Sequence, residues 1–276
     1  MAIPAYYQDL AKKPIVYIRA VEFILAFITF CCVVAFSICF TINMSCIASD
    51  GKTRRKNSTE VCIDYPFALS TVAVQDVCTT STYPAYIFQV DYDSQAEFFV
   101  AIAVTSTLYC LIAILFYAKF WEKYSYSTYF PFPDLLITFT LASFWFASSC
   151  SWASAVSSLS DYADYDSILS TIKSLTSCQG KDASCSITPT EWSFGTLILS
   201  AILGFVNVAV WYWNSLLLFR NLKHIKFEEQ RRLDAVTASV DYPYGSDANS
   251  RLRDAPIASM ARNVGYGTTS GSNNVY

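Results

Sequence analysis

Residues 194–219 read FGTLILSAILGFVNVAVWYWNSLLLF. None of these 26 residues is charged, and a helix needs about 20 apolar residues to cross about 30 Å of hydrocarbon. Three more stretches meet that length: Phe23–Ile42, Phe98–Ala118 and Leu135–Val156. One such run would be hard to bury in a soluble domain of this size, and four exclude that reading. Composition agrees, because 54% of the 276 residues are apolar and only 15% are charged, less charge than soluble chains of this length carry. The expected fold is an all-α membrane protein, a four-transmembrane-helix bundle with spans at about 20–42, 98–120, 135–156 and 194–219. A segment of residues 1–14 precedes the bundle (15–223), and a tail runs from 224 to 276. Beyond about residue 238 that tail is rich in Ser, Asn, Gly, Tyr and Pro and is expected to be disordered.

Residues 1–19 contain Pro4, Asp9, Lys12, Lys13 and Pro14 and no apolar core before a cleavage site, so the first span is expected to start translocation. Lys and Arg near the spans number ten on the side of the two ends and six on the other. That bias predicts both termini in the cytosol and two lumenal loops, about 43–96 and 157–192. Asn57-Ser58-Thr59 is a glycosylation sequon in the first of these loops, where it would be usable. Asn43-Met44-Ser45 fits the same pattern but lies against the membrane. The run Ser70–Val74 is β-branched enough to suggest a short strand.

Ten Cys divide between membrane and loops. Cys31, Cys32, Cys39, Cys110 and Cys150 fall within the expected spans and read as free, apolar residues. Cys46, Cys62, Cys78, Cys178 and Cys185 are expected in the oxidising lumen. Cys178 and Cys185 are alone in their loop, which makes their pairing the simplest choice. Three Cys in the first loop leave one over. A Cys46–Cys78 bridge would restrict the unfolded loop by roughly 3–4 kcal/mol, and a cross-loop bridge from Cys62 to Cys178 or Cys185 is the alternative.

In hydrocarbon, helices associate through small and polar side chains. Ser143, Ala147, Ser151 and Ala155 recur every four residues on the third span and predict a flat packing face, with Ser148 and Ser149 beside it. Ser200, Gly204, Asn207, Trp211 and Asn214 form one stripe on the fourth span, and two Asn amides in that stripe should face protein rather than lipid. Arg19 and Glu22 read as a boundary anchor that reaches the headgroups. No span shows a central ionisable residue, which argues against a transporter. The single His224 has no Cys or His partner at metal-binding spacing, and no phosphate loop or serine-nucleophile motif is present. The chain therefore reads as neither an enzyme nor a cofactor binder, and a net charge of −3 implies no nucleic-acid partner. Tyr7-Gln8-Asp9-Leu10 fits the tyrosine-based pattern read by endocytic adaptors, with Tyr7 and Leu10 as its anchors.

Several blocks together resemble the synaptophysin family of MARVEL-domain proteins. They are Asp91–Val100, Glu60–Phe67, Asp134 with Trp145, Ser148, Ser149, Trp152 and Ala153, Ser160-Asp161, and Gly204–Asn207 with Trp211 and Asn214. The resemblance covers about residues 14–222. It implies one bridge per lumenal loop, Cys46–Cys78 and Cys178–Cys185, with Cys62 as a departure. The tail departs too, with only Tyr242–Gly245 and Tyr266-Gly267 in place of long Tyr-Gly-Gln-Pro repeats. The family implies a membrane protein of synaptic or other secretory vesicles that acts in exocytosis and recycling. It also implies homo-oligomers, cholesterol-rich membrane, and synaptobrevin and the vesicle proton ATPase as partners. A four-helix channel or junction-type oligomer is the alternative class. Against it, the Trp-Gly-Leu-Trp block of claudins, the Cys-Cys-Gly loop motif of tetraspanins and the Cys triplets of connexins are missing.

Overall fold

The computed structural model describes residues 13–47, 52–74, 85–88, 90–126, 129–175, 178–179, 183–189 and 193–240. Four of its helices are long and apolar enough to cross a membrane: α1 (Pro14–Val34), α2 (Asp93–Tyr126), α3 (Pro131–Tyr162) and α5 (Gly195–Val240). A short helix, α4 (Tyr165–Ser174), follows α3. Pro14 and Pro131 each open a helix, where the missing N–H costs nothing and the fixed φ already suits the helix. α2 departs from helical geometry at Phe120 (φ −124°, ψ 25°). Residues up to Lys226 form one compact unit and Phe227 onward a second, in which helix α5 continues to Val240.

The first helix ends at Val34, short of the expected boundary at residue 42. The chain then turns into strand β1 (Ser37–Ile47). The apolar run misleads because it joins two periods. In β1, Ile38, Phe40, Ile42, Met44 and Cys46 are buried and alternate with more exposed residues, which is the period-2 pattern of a half-buried strand. β1 pairs antiparallel with β2 (Arg54–Asp64) from Ser37↔Asp64 to Ile47↔Arg54. Its other edge takes β5 (Ser184–Pro189), from Phe40↔Pro189 to Ser45↔Ser184. The two segments outside the membrane therefore share one three-stranded sheet, in the order β2-β1-β5. A second pair, β3 (Ala73–Val74) with β4 (Ala85–Tyr86), is minimal, and a 3₁₀ turn occupies Leu69–Thr71.

The inner face of the sheet shares a core with the end of α3 and with Ile168 and Ile172 of α4. Within the bundle, aromatic rings set the spacing. Phe99 meets Trp145 edge-to-face and stacks on Trp152. Each indole N–H donates to a serine on a neighbouring helix: Trp145 Nε1 to Ser106 Oγ and Trp152 Nε1 to Ser200 Oγ, both at 2.9 Å. A Cβ on Gly204 would lie 2.7 Å from Ser149 Oγ and 2.9 Å from the Phe99 ring, so only glycine fits that crossing.

The disulfide pattern requires a correction. Cys39, expected to be free within the first span, is bonded to Cys62. The two residues sit directly opposite each other on β1 and β2, a pairing visible only once residues 37–47 are a strand. Cys178 is bonded to Cys185, so no bridge joins Cys62 to the second loop. Cys46 is also disulfide-bonded, and Cys78 lies outside the described residues.

Candidate functional site

The densest polar chemistry lies inside the bundle, where Arg19 of α1 is fully buried. Its Nη1 donates to Glu22 Oε2 at 2.8 Å, one helical turn away. Its Nη2 donates to Asp134 Oδ1 and to Thr138 Oγ1 of α3. Asp134 also accepts the hydroxyls of Tyr109 and Tyr117, and that of Tyr124 at 2.8 Å, all from α2. Asn214 of α5 donates its Nδ2 to Glu22 Oε1 at 2.9 Å. The guanidinium lies 5.0 Å from the ring centre of Tyr109 and 5.5 Å from that of Trp211, within the range of cation–π attraction. All four long helices thus contribute to one cluster. Further along the bundle, Asn207 of α5 donates to Thr29 of α1 at 3.1 Å.

This arrangement corrects the expectation that Arg19 and Glu22 anchor at the headgroups and that the bundle holds no charge network. Both side chains are 0% exposed. Asp134, placed just before the expected third span, lies one turn inside α3 because that helix begins at Pro131. The missed signal lies in α2, where Tyr109, Tyr117 and Tyr124 are spaced by two helical turns each and so share a face. Three hydroxyls on one face of an apolar helix need a common acceptor.

The small-residue face of α3 is also relocated. Ser143 and Ala147 are exposed, Ser151 is half-buried and only Ala155 is buried. The face that meets the bundle carries Thr138, Leu141, Ala142, Trp145, Ser148, Ser149, Trp152 and Ala155. Two indoles with serine partners decide the rotation, since an N–H facing lipid would go unsatisfied. On α5, Ser200, Gly204, Asn207, Trp211 and Asn214 are all buried in the bundle. Asn57 lies half-buried on β2, with its Nδ2 3.3 Å from Thr59 Oγ1. Tyr7 and Leu10 lie outside the described residues.

Chemically, the cluster cross-links the four long helices through charge-assisted hydrogen bonds. The Asp134 carboxylate takes donors from three tyrosines, Arg19 and Thr138, and the buried Cys110 thiol of α2 lies 3.9 Å from Glu22 Oε2. Cys39, Glu60 and Cys62 come within metal-ligand distance of one another, but the disulfide uses both sulfurs. An open apolar recess of about 320 Å³ runs between Phe132, Leu135 and Phe139 of α3 and Leu216 and Phe219 of α5.

Four apolar helices joined by a buried ionic cluster and topped by a disulfide-bonded sheet define a multi-pass membrane protein. Residues 11–217, about three quarters of the chain, match the MARVEL family, described as a membrane-associating domain. The chain belongs to that family.

Proposed function

We propose that this protein is a non-enzymatic organiser of secretory-vesicle membrane, of the synaptophysin kind, acting in exocytosis and vesicle recycling. The observation that carries this reading is the set of sequence blocks from Asp91–Val100 to Gly204–Asn214, within a chain of the MARVEL family. The positions that carry the likeness, Trp145, Ser148, Trp152, Gly204, Asn207, Trp211 and Asn214, are those through which the helices touch. In this reading both termini are cytosolic, the sheet is lumenal, and the protein assembles as a homo-oligomer in cholesterol-rich membrane. The apolar recess between α3 and α5 supports a lipid ligand. Synaptobrevin and the vesicle proton ATPase are the partners that the likeness suggests.

Immunogold labelling of the endogenous protein beside a vesicle marker tests the proposal. Co-labelling of small vesicles is expected, with a tag after residue 276 open to protease outside sealed vesicles. Labelling confined to cell–cell junctions would overturn it.

A further inference from the structure

Among the described residues, strand β2 is an edge of the three-stranded sheet, since only β1 pairs with it there. Its eleven residues, Arg54–Asp64, have a pronounced charge order. Arg54, Arg55 and Lys56 stand at one end with no acid, and Glu60 and Asp64 at the other with no base. Arg54, Lys56, Ser58, Glu60, Cys62 and Asp64 are exposed along the outward face. No ion pair engages any of these charges among the described residues. Edges are commonly protected by charged side chains, and a run of one sign would repel a second copy. Here the sign reverses along the strand, so a copy running antiparallel meets opposite charge at both ends.

We infer that two copies of this chain join through β2, paired antiparallel about a two-fold axis into one six-stranded sheet. A two-fold axis through any facing pair of identical residues keeps the exposed residues of both strands on one face, and in two such registers the central residue is a small hydroxyl residue of β2. In the first, Ser58 meets Ser58 and Lys56 opposes Glu60; in the second, Thr59 meets Thr59 and Arg54 opposes Asp64. Such a contact is isologous and closes on itself. Main-chain bonds along the edge supply attraction and the charge order supplies direction and register. The inference rests on the homo-oligomer part of the proposal above and gives it an interface.

The full chain carrying Asn57→Gln, so that no glycan occupies the edge, is purified in mild detergent and its mass measured by light scattering. Ser58→Cys and Thr59→Cys are then oxidised separately in that background, with Ser186→Cys on the opposite edge strand as control. A cross-linked dimer is expected from one of the β2 variants and not from Ser186→Cys. Arg54→Glu with Lys56→Glu should lower the yield of cross-linked dimer at least tenfold. Adding Glu60→Lys and Asp64→Lys to the same chain should restore it. These side chains are exposed, so unchanged melting of the monomer is the check that each variant folds. A parent that is monomeric by mass would overturn both the interface and the homo-oligomer reading. An oligomer that survives the charge reversal without cross-linking at residue 58 or 59 would overturn the interface alone.

Discussion

Gly204 is a residue whose replacement has a defined steric consequence. Gly204→Ala brings a methyl group within 3 Å of Ser149 Oγ and of the Phe99 ring. Overpacking of this kind costs about 1–3 kcal/mol, so a lower melting temperature is expected in detergent. Tyr124→Phe removes one donor from Asp134 at 2.8 Å and should cost about 1.5–3 kcal/mol, the range for bonds to a charged group. The same substitution at Tyr17, Tyr17→Phe, changes an exposed residue of α1 and serves as the comparison in the same melting experiment. Asp91 lies outside the membrane, where Ser70, through its side chain and its backbone N–H, holds the Asp91 carboxyl below the usual carboxylate range. Its folded value is below its unfolded value, so its contribution is complete above the unfolded value and fades as pH falls below about 4. The protection factor of the Ser70 amide, measured against its intrinsic rate at each pH, should therefore fall below about pH 4 in the wild type, and be already low at neutral pH in Asp91→Asn.

At the scale of elements, the two stripes of small and polar residues fare differently. On α5, Asn207 and Asn214 could be placed toward protein from sequence because an amide in lipid has no partner. On α3, the step of four through Ser143 and Ala147 carried no such cost, and the Trp145 and Trp152 indoles turned another face inward. Ala147→Leu should consequently leave the melting temperature of the monomer unchanged, because Ala147 is exposed. A fall as large as that expected of Gly204→Ala would place Ala147 inside the bundle. The sheet was the least legible element. Its strand β1 continues the hydropathy of α1 without a charge or a proline between them, so length alone extended the span to Ile42. The alternation from Ile38 to Cys46 held the missing information, and with it the Cys39–Cys62 pairing.

At the scale of the whole molecule, four spans were legible because each is set by a local quantity, the length of an apolar run. The ionic cluster was not, because Arg19 and Asp134 are 115 residues apart and each stands near a helix end, where a lone charge ordinarily reaches water. The cluster is what joins α1, α2, α3 and α5 where hydrophobic burial offers no preference for helix over lipid. Breaking a buried pair by removing one partner typically costs 3–5 kcal/mol, and a buried pair is little screened by salt. The most direct measurement is the thermal melting of Asp134→Asn against Asp93→Asn in lipid nanodiscs, at about 0.1 M and about 1 M salt. Asp134→Asn should melt well below the wild type at both salt concentrations, while Asp93→Asn should match it. Equal melting of the two variants, or a deficit in Asp134→Asn that disappears at high salt, would contradict a buried cluster as the link between the four helices.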